Sequence, residues 1–437
     1  MIFKMTYLKF SFTVLAMLLL VSCSLDVTDP NTATDDEVLS SREGIISFTT
    51  GMQGYFKETA LPAVIRTPAV STRELAINTT FTNLVDLEDG GLDLEDDNAN
   101  ILQNWSRLLR VVDMTSQIIN NVENVQFSDA ERTEILAIAH IYKAMSLGFL
   151  VSNFEQSPIN TNASGSAEFF SRDDVLAEAI SLLTTAENVI SSTTPTTTFR
   201  TQGFELENTI QALLARYYLM AGNNQLAIES ADNVDPSAES VFFFDGSTSR
   251  NPLFEDVFII EEYAPQDLLG SGLTEAGDER LNFFLTEAGT LSSPNEFETD
   301  VLEGFFSTAS SPIPVYRPGE MNLIRAEAYV KTDQPGLAVD EIDAVRTKIS
   351  SDDLYGIGAN LPAYSGGTSD ADLFEEIYRQ RRAELYLSGL SLEDMRRLNR
   401  PAVQDNPPLS AERNRNYYPY PEQERQTNTN TPENPEI

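Results

Sequence analysis

Apolar residues recur every three to four positions in stretch after stretch of this chain, and few runs alternate with period two, so a mainly α-helical fold is expected. Helix-like stretches cover roughly 41–58, 100–125, 129–152, 172–191, 206–221, 224–233, 319–332, 335–349 and 371–399. Ser128-Asp129-Ala130-Glu131 has the form of a capping box, in which the serine oxygen accepts the third helical N–H and the glutamate reaches back to the serine N–H. Strand-like runs are short and isolated, at Val241–Phe244 and Val257–Ile260, and long loops are expected near 60–100 and 240–318.

Two segments carry a specific repeat. Leu214, Ala215, Tyr218, Gly222 and Ala227 fall at the spacings of the tetratricopeptide motif, where small residues let two helices approach and a glycine permits the tight turn between them. Ala326, Tyr329, Ala338, Ile342 and Val345 stand in the same register. The two tyrosines are 111 positions apart, which is not a multiple of the usual 34, so helical pairs separated by insertions are expected and a simple tandem array is not. The expected architecture is an α-α superhelix with long loop insertions, its pairs near 100–152, 172–233, 319–349 and 371–399 and its main insertion at about 240–318.

The N-terminus sets the compartment. Lys4 and Lys9 precede an apolar run from Phe10 to Val21, the layout of a secretory leader and too short for a bilayer span. Leu20-Val21-Ser22-Cys23 follows and resembles the bacterial lipobox, and Cys23 is the sole cysteine of 437 residues, so no disulfide partner competes for it. Residues 1–22 are thus expected to be a signal peptide, Cys23 the lipidated residue, 23–40 a polar tether, and 41–437 a single helical domain. A net charge of −38 repels nucleic acid and anionic headgroups, which excludes nucleic-acid binding as the function.

Four stretches behind that lipobox resemble the SusD/RagB family of outer-membrane nutrient-binding lipoproteins. Arg317-Pro318-Gly319-Glu320, continuing through Leu323 to Ala326-Glu327-Ala328, fits the helix start R-x-x-E-x-x-L-x-x-A-E-A. Arg381-Arg382-Ala383-Glu384-Leu385 with Gly389, Asp394 and Arg397 follows the late helix. Tyr418-Pro419-Tyr420-Pro421 with Glu424 and Asn428 looks like the closing P-x-x-E-x-x-x-N, and Trp105 with Ile118, Ile119 and Asn120 looks like the first long helix. Gln380, Ser388 and Ser391 depart from the usual Glu, Glu and Arg, and Leu147–Pro158 lacks the usual Tyr-Gly. Arg381, Glu384, Asp394 and Arg397 read as packing residues, because buried arginine–carboxylate pairs fix helices through bidentate bonds.

The resemblance implies a lipid-anchored protein on the outer face of the outer membrane that captures an oligosaccharide or other nutrient. It would pass that ligand to a SusC-like TonB-dependent transporter and would not itself be an enzyme. The residues leave open a surface glycoside hydrolase or a helical scaffold for protein partners. His140 is the only histidine, on an alanine-rich helix, so no multi-histidine metal site or H-E-x-x-H motif exists, and a packing role suits it. No cofactor is called for. Asp86–Asp97 places Gly91 and Asp97 at EF-hand positions six and twelve, but Gly90 and Asp93 spoil positions five and eight, which favours a solvated acidic loop over calcium. Trp105, inside a helix motif, reads as core. By the resemblance, ligand contacts fall in the loop before the first long helix and in the later insertion, here Arg73, Asn78, Phe81, Tyr263 and Phe283.

Overall fold

The computed structural model describes residues 38–162, 164–270, 274–287, 293–400 and 411–437. The expected signal peptide, Cys23 and almost all of the tether lie outside these residues.

Helices dominate, and their starts follow local capping chemistry. The long helices are α1 (Arg42–Tyr55), α2 (Leu61–Ser71), α3 (Thr82–Asp89), α4 (Ala99–Asn121), α5 (Asp129–Asn153), α6 (Arg172–Ser192), α7 (Glu207–Met220) and α8 (Asn224–Asp232). They are followed by α9 (Pro318–Lys331), α10 (Pro335–Arg346), α11 (Asp370–Glu384), α12 (Ser391–Arg397) and α13 (Glu422–Thr427). The capping box at Ser128 forms at the start of α5, and Ser171 and Ser369 cap α6 and α11. Helix α5 is long and apolar enough to cross a membrane, yet nearly all of it is buried between α4, α6 and their neighbours, as a core helix is.

Successive helices pack as antiparallel hairpins, α7 with α8 and α9 with α10, and α8 lies against α9. The tight turns use left-handed residues at matching places, Gly222 (φ 77°) in the first hairpin and Asp333 (φ 59°) in the second. Ala227 and Ala338 are fully buried at equivalent positions of the two second helices. Residues Leu39–Ile437 form one compact unit.

Three expectations fail, each for a local reason. The segment near 60–100 is not a long loop: α1 runs through a π-helical turn (Phe56–Ala60) into α2, and α3 follows. Pro62 and Pro68 read as breakers, but Pro62 sits in the first turn of α2, where a missing N–H costs nothing. Pro68 cannot donate to the Val64 carbonyl, and Gly389 (φ 81°) packs over that oxygen so closely that a Cβ would lie 2.7 Å from it. The expected strand at Val257–Ile260 is a π-helical turn, Glu255–Ile259. The expected continuous helix at 371–399 is broken by Leu387 (φ 53°) and Gly389 into α11 and α12.

The insertion supplies most of the strands. β1 (Leu75–Ile77) pairs with β5 (Tyr263–Pro265), β2 (Gln156–Pro158) with β3 (Phe169–Ser171), β4 (Val241–Phe242) with β8 (Ile313–Pro314), and β6 (Leu285–Thr286) with β7 (Val301–Leu302), all antiparallel. Each two-stranded ribbon is too small to stand alone and rests on the helical core.

Candidate functional site

The β1–β5 ribbon joins the segment before the first long helix to the insertion. Its register sets Ile77 opposite Tyr263, and it is extended by the Asn78 N–H donating to the Glu262 carbonyl at 2.7 Å. The buried Glu88 carboxylate on α3 accepts the Ile77 N–H at 2.8 Å, tying the ribbon to that helix. The Asn78 side chain donates to the Glu261 carbonyl at 3.2 Å. Beyond it the chain turns outward, so that Asn78, Thr80, Phe81 and Thr82 are exposed.

Phe81 precedes the first turn of α3, where its carbonyl accepts the Leu84 and Val85 N–H groups, and its ring points to solvent with 57% of the residue exposed. Across the ribbon, the π-helical turn presents Ile259 (57% exposed) and Ile260 (54%) beside Glu261, a residue held at φ 61°. Single π-helical turns recur at functional sites. The corner therefore offers an aromatic face, two aliphatic side chains, an amide and two threonine hydroxyls. That mixture suits a ligand with apolar faces and many hydroxyls.

A polar layer supports the corner. The Arg66 guanidinium on α2 donates to Asp256 at 2.8 Å and to the Gln103 side chain at 3.1 Å, and lies over the Tyr263 ring, 5.8 Å from its centroid. Burial would lower the Arg66 pKa, but Asp256 and the Tyr263 hydroxyl outweigh it and raise the value, so the cation is fixed. Arg107 donates to the Thr59 carbonyl at 3.1 Å.

Of the five residues proposed from the resemblance, the structure brings Asn78, Phe81 and Tyr263 together at this corner, and only the first two face solvent. Tyr263 is 2% exposed and belongs to the ribbon's inner side, so it supports the corner and offers a ligand no surface. Arg73 is 3% exposed with φ 65°, and its guanidinium donates to the carbonyls of Glu88 (2.6 Å) and Ala411 (3.2 Å). It is a packing residue, because its charge is consumed in holding α3 against the C-terminal segment. Phe283 stands in a separate aromatic group with Phe284 and Phe305, at ring-centroid distances of 4.8 and 5.3 Å. Ile259 and Ile260 went unrecognised because an unbroken apolar run reads as a buried strand; their pairing with acidic neighbours at 255–256 and 261–262 was the available signal.

The acidic stretch 86–97 does not form an EF-hand, since its first four residues close α3 and Glu88 turns inward. A second concave region of about 450 Å³, between the end of α6 and the start of α7, is lined by Glu187, Ser191, Arg200, Glu205 and Gln211 and by no aromatic ring. It offers nothing for a ring to stack on.

Glu74, which leads into β1, lies fully buried beside Arg382 at 3.3 Å. Burial pushes its carboxyl up to about 7, with Arg382 and Arg317 pulling the other way. The fold thus binds a proton that the unfolded chain, with its glutamate near 4.5, releases. Its contribution to stability is complete below pH 4.5 and is lost as the pH rises through 7. Glu74→Gln should remove that slope, on the order of 3 kcal/mol across the window. Denaturant titrations of both proteins at pH 5 and pH 8 measure it, with the difference in unfolding free energy between the two pH values shrinking in the variant.

Comparison with known proteins bears on the fold. The SusD family profile matches residues 232–436. No curated protein sequence matches the chain. Among solved structures, a SusD-like carbohydrate binding protein from Bacteroides fragilis shares 15% identity and a TM-score of 0.69, covering 90% of this chain and 99% of its own. A SusD superfamily protein from Bacteroides thetaiotaomicron shares 16% identity and a TM-score of 0.68, covering 92% and 100%. NanU of B. fragilis shares 14% identity and a TM-score of 0.67, covering 93% and 99%. At such identities these likenesses speak for the fold, and the profile match adds the C-terminal motifs that sequence comparison alone detects. The SusD family profile thus covers the part of the chain that holds the Arg317–Ala328, Arg381–Arg397 and Tyr418–Asn428 signatures, and the helical architecture of the described residues is the fold of the SusD superfamily structures.

Proposed function

We propose that this chain is a lipid-anchored protein of the outer-membrane surface that binds a carbohydrate at the Asn78–Phe81 corner and delivers it to a SusC-like TonB-dependent transporter. The observation that carries the binding part is Phe81, an exposed ring set among exposed hydroxyl and amide groups. Sugar rings expose apolar C–H faces and equatorial hydroxyls, so an aromatic platform with polar neighbours recognises both at once. The carbohydrate-binding description of the similar B. fragilis protein supports the same ligand class. Capture needs no bond to be broken, and selectivity comes from the corner while energy for import comes from the partner.

Phe81→Ala tests this directly. Screened against a panel of oligosaccharides by calorimetry, the intact protein should bind at least one, and the variant should bind it about tenfold more weakly, the loss of a ring-stacking contact worth about 1.4 kcal/mol. Binding that is indifferent to Phe81 would remove the corner from the account, and a panel yielding cleaved products would replace binding with hydrolysis.

Anchoring at Cys23 and location at the cell surface rest on the lipobox and the family. Cys23→Ala should leave the mature protein in the soluble fraction, where the parent is recovered with membranes and carries label from radioactive palmitate. Recovery of a TonB-dependent barrel with the tagged parent from detergent extracts tests the delivery step.

A further inference from the structure

Acidic residues outnumber basic ones in this chain by 67 to 29, so a surface arginine without an acidic partner is out of pattern. Among the described residues, Arg107 on α4 is that exception. It is half-buried, and its guanidinium makes one bond, to the Thr59 carbonyl at 3.1 Å. Every other half-buried or exposed arginine among the described residues stands in an ion pair.

The nearest charged groups leave the deficit in place. Burial lowers the Arg107 pKa and the Arg66 cation lowers it further, while Tyr55, Asp256 and Tyr263 act the other way. Asp256 is already bonded to Arg66 at 2.8 Å, and Glu262 acts on Arg66 as well. The two arginines also tie into both π-helical turns, Arg107 through Thr59 of Phe56–Ala60 and Arg66 through Asp256 of Glu255–Ile259. Turns of this kind recur at functional sites.

Printed contacts along α4 connect Arg107 to the Phe81 corner. Asn100 donates to the carbonyl of Asn83, two residues beyond Phe81, at 3.1 Å, and Gln103 accepts from Arg66 at 3.1 Å. Asn100, Gln103 and Arg107 stand at i, i+3 and i+7, so they share one face of the helix. At 1.5 Å per residue, Arg107 lies roughly 10 Å along that face from Asn100, a span for an oligosaccharide rather than a single ring.

We propose that Arg107 takes the oxyanion of an acidic glycan, a uronic-acid carboxylate or a sulfate ester, at a subsite beyond the Phe81 platform; the proposal rests on the reading of this corner as a carbohydrate platform. A guanidinium offers its N–H groups as a planar fork that matches two oxygens of such a group. Thr59 holds one N–H and so aims the fork, and the others donate to no atom of the described residues. An acidic sugar keeps the apolar face that stacks on Phe81. The net charge of −38 opposes any anion at long range, so the preference depends on this one close contact.

Calorimetry on the full mature chain reads this out, using tetrasaccharides in acidic and neutral pairs of one backbone: galacturonate with its methyl ester, and a sulfated galactan with its desulfated form. At least one acidic member should bind at least about tenfold more tightly than its neutral counterpart, and the pair that does so names the oxyanion. Arg107→Gln should abolish or reverse that preference and change the neutral member's affinity by less than about twofold. Arg107→Lys, which keeps the charge and loses the fork, should retain part of it. An arginine that only holds α4 to Thr59 would, on replacement, weaken acidic and neutral members alike, and that result would overturn the proposal. Tightest binding of a neutral member, or an acid preference that survives Arg107→Gln, would overturn it too. In those cases neutral binding that is lost in Phe81→Ala leaves the carbohydrate reading intact. A panel with no binding member at all would overturn both.

Discussion

Arg397→Met should lower the free energy of unfolding at pH 7 by about 3–5 kcal/mol, the usual cost of stripping one partner from a buried ion pair. The Arg397 guanidinium on α12 meets three carboxylates: Glu327 of α9 at a very short contact, Asp394 at 2.6 Å and Glu393 at 3.8 Å. Glu327 is completely buried, and burial alone would raise its pKa. Arg397 and Lys331 instead hold it down at about 2. Its stabilising contribution is thus present above its unfolded value of 4.5 and is lost as pH falls through 2. Without Arg397 the carboxylate keeps only Lys331, at 2.7 Å, and Asp394 keeps Arg381, at 2.8 Å. Guanidinium denaturation followed by circular dichroism measures the loss, which should be smaller at pH 4, where Glu327 can take up a proton. Adding Glu327→Met should restore part of the stability, since no unpaired charge then remains in the core. An Arg397→Met protein as stable as the parent at pH 7 would show that the pair does not hold α9 to α12.

Trp105→Ala should cost a similar amount, about 3–5 kcal/mol. The indole is fully buried at the junction of α4, β3 and the C-terminal segment. It stacks on Phe169 with ring centroids 5.7 Å apart and meets Phe154 and Tyr420 edge-on at 4.8 and 5.8 Å. Its N–H donates to Glu424 at 3.1 Å, and Asn428 donates to the other oxygen of that carboxylate at 2.9 Å. Removing the ring opens a cavity and leaves the closing segment unlatched from the first long helix. Because this is the only tryptophan, circular dichroism must replace fluorescence as the probe. Trp105→Phe, which keeps most of the volume, should lose less; equal losses would point to the Glu424 bond as the main term.

These two sites show why much of the fold could be read in advance. The residues that carry the family likeness, Glu327, Arg381, Asp394 and Arg397 in one cluster and Trp105, Tyr420, Glu424 and Asn428 in another, are the ones that lock distant segments together. Each of these residues is constrained by more than one partner at once. The departures are absorbed locally. Gln380 accepts from Arg280 at 2.7 Å and donates to Glu376 at 2.8 Å. Ser391 accepts from Thr72 at 2.8 Å, and Ser388 lines a cavity of about 30 Å³, room for about one water.

The failures share a cause as well. Pro62 and Pro68 argue against helix by local rules, yet α2 forms because it is almost wholly buried and Gly389 fits over the carbonyl that Pro68 leaves open. Val257–Ile260 has the composition of a strand, but Ile260 donates back to Glu255 and the run closes as a π-helical turn. At the corner, Asn78 and Phe81 could be named only through the resemblance, which implies ligand contacts in the segment before the first long helix. Arg73 could not be sorted from them, since nothing local shows that Glu88 and Ala411 consume its charge.

A crystal structure of the mature chain with a bound oligosaccharide should show a sugar ring lying on the Phe81 ring within van der Waals distance, with a hydroxyl group in hydrogen-bond contact with Asn78. A ligand seated in the α6–α7 depression, or anywhere that leaves Phe81 in solvent, would contradict the carbohydrate reading of the corner.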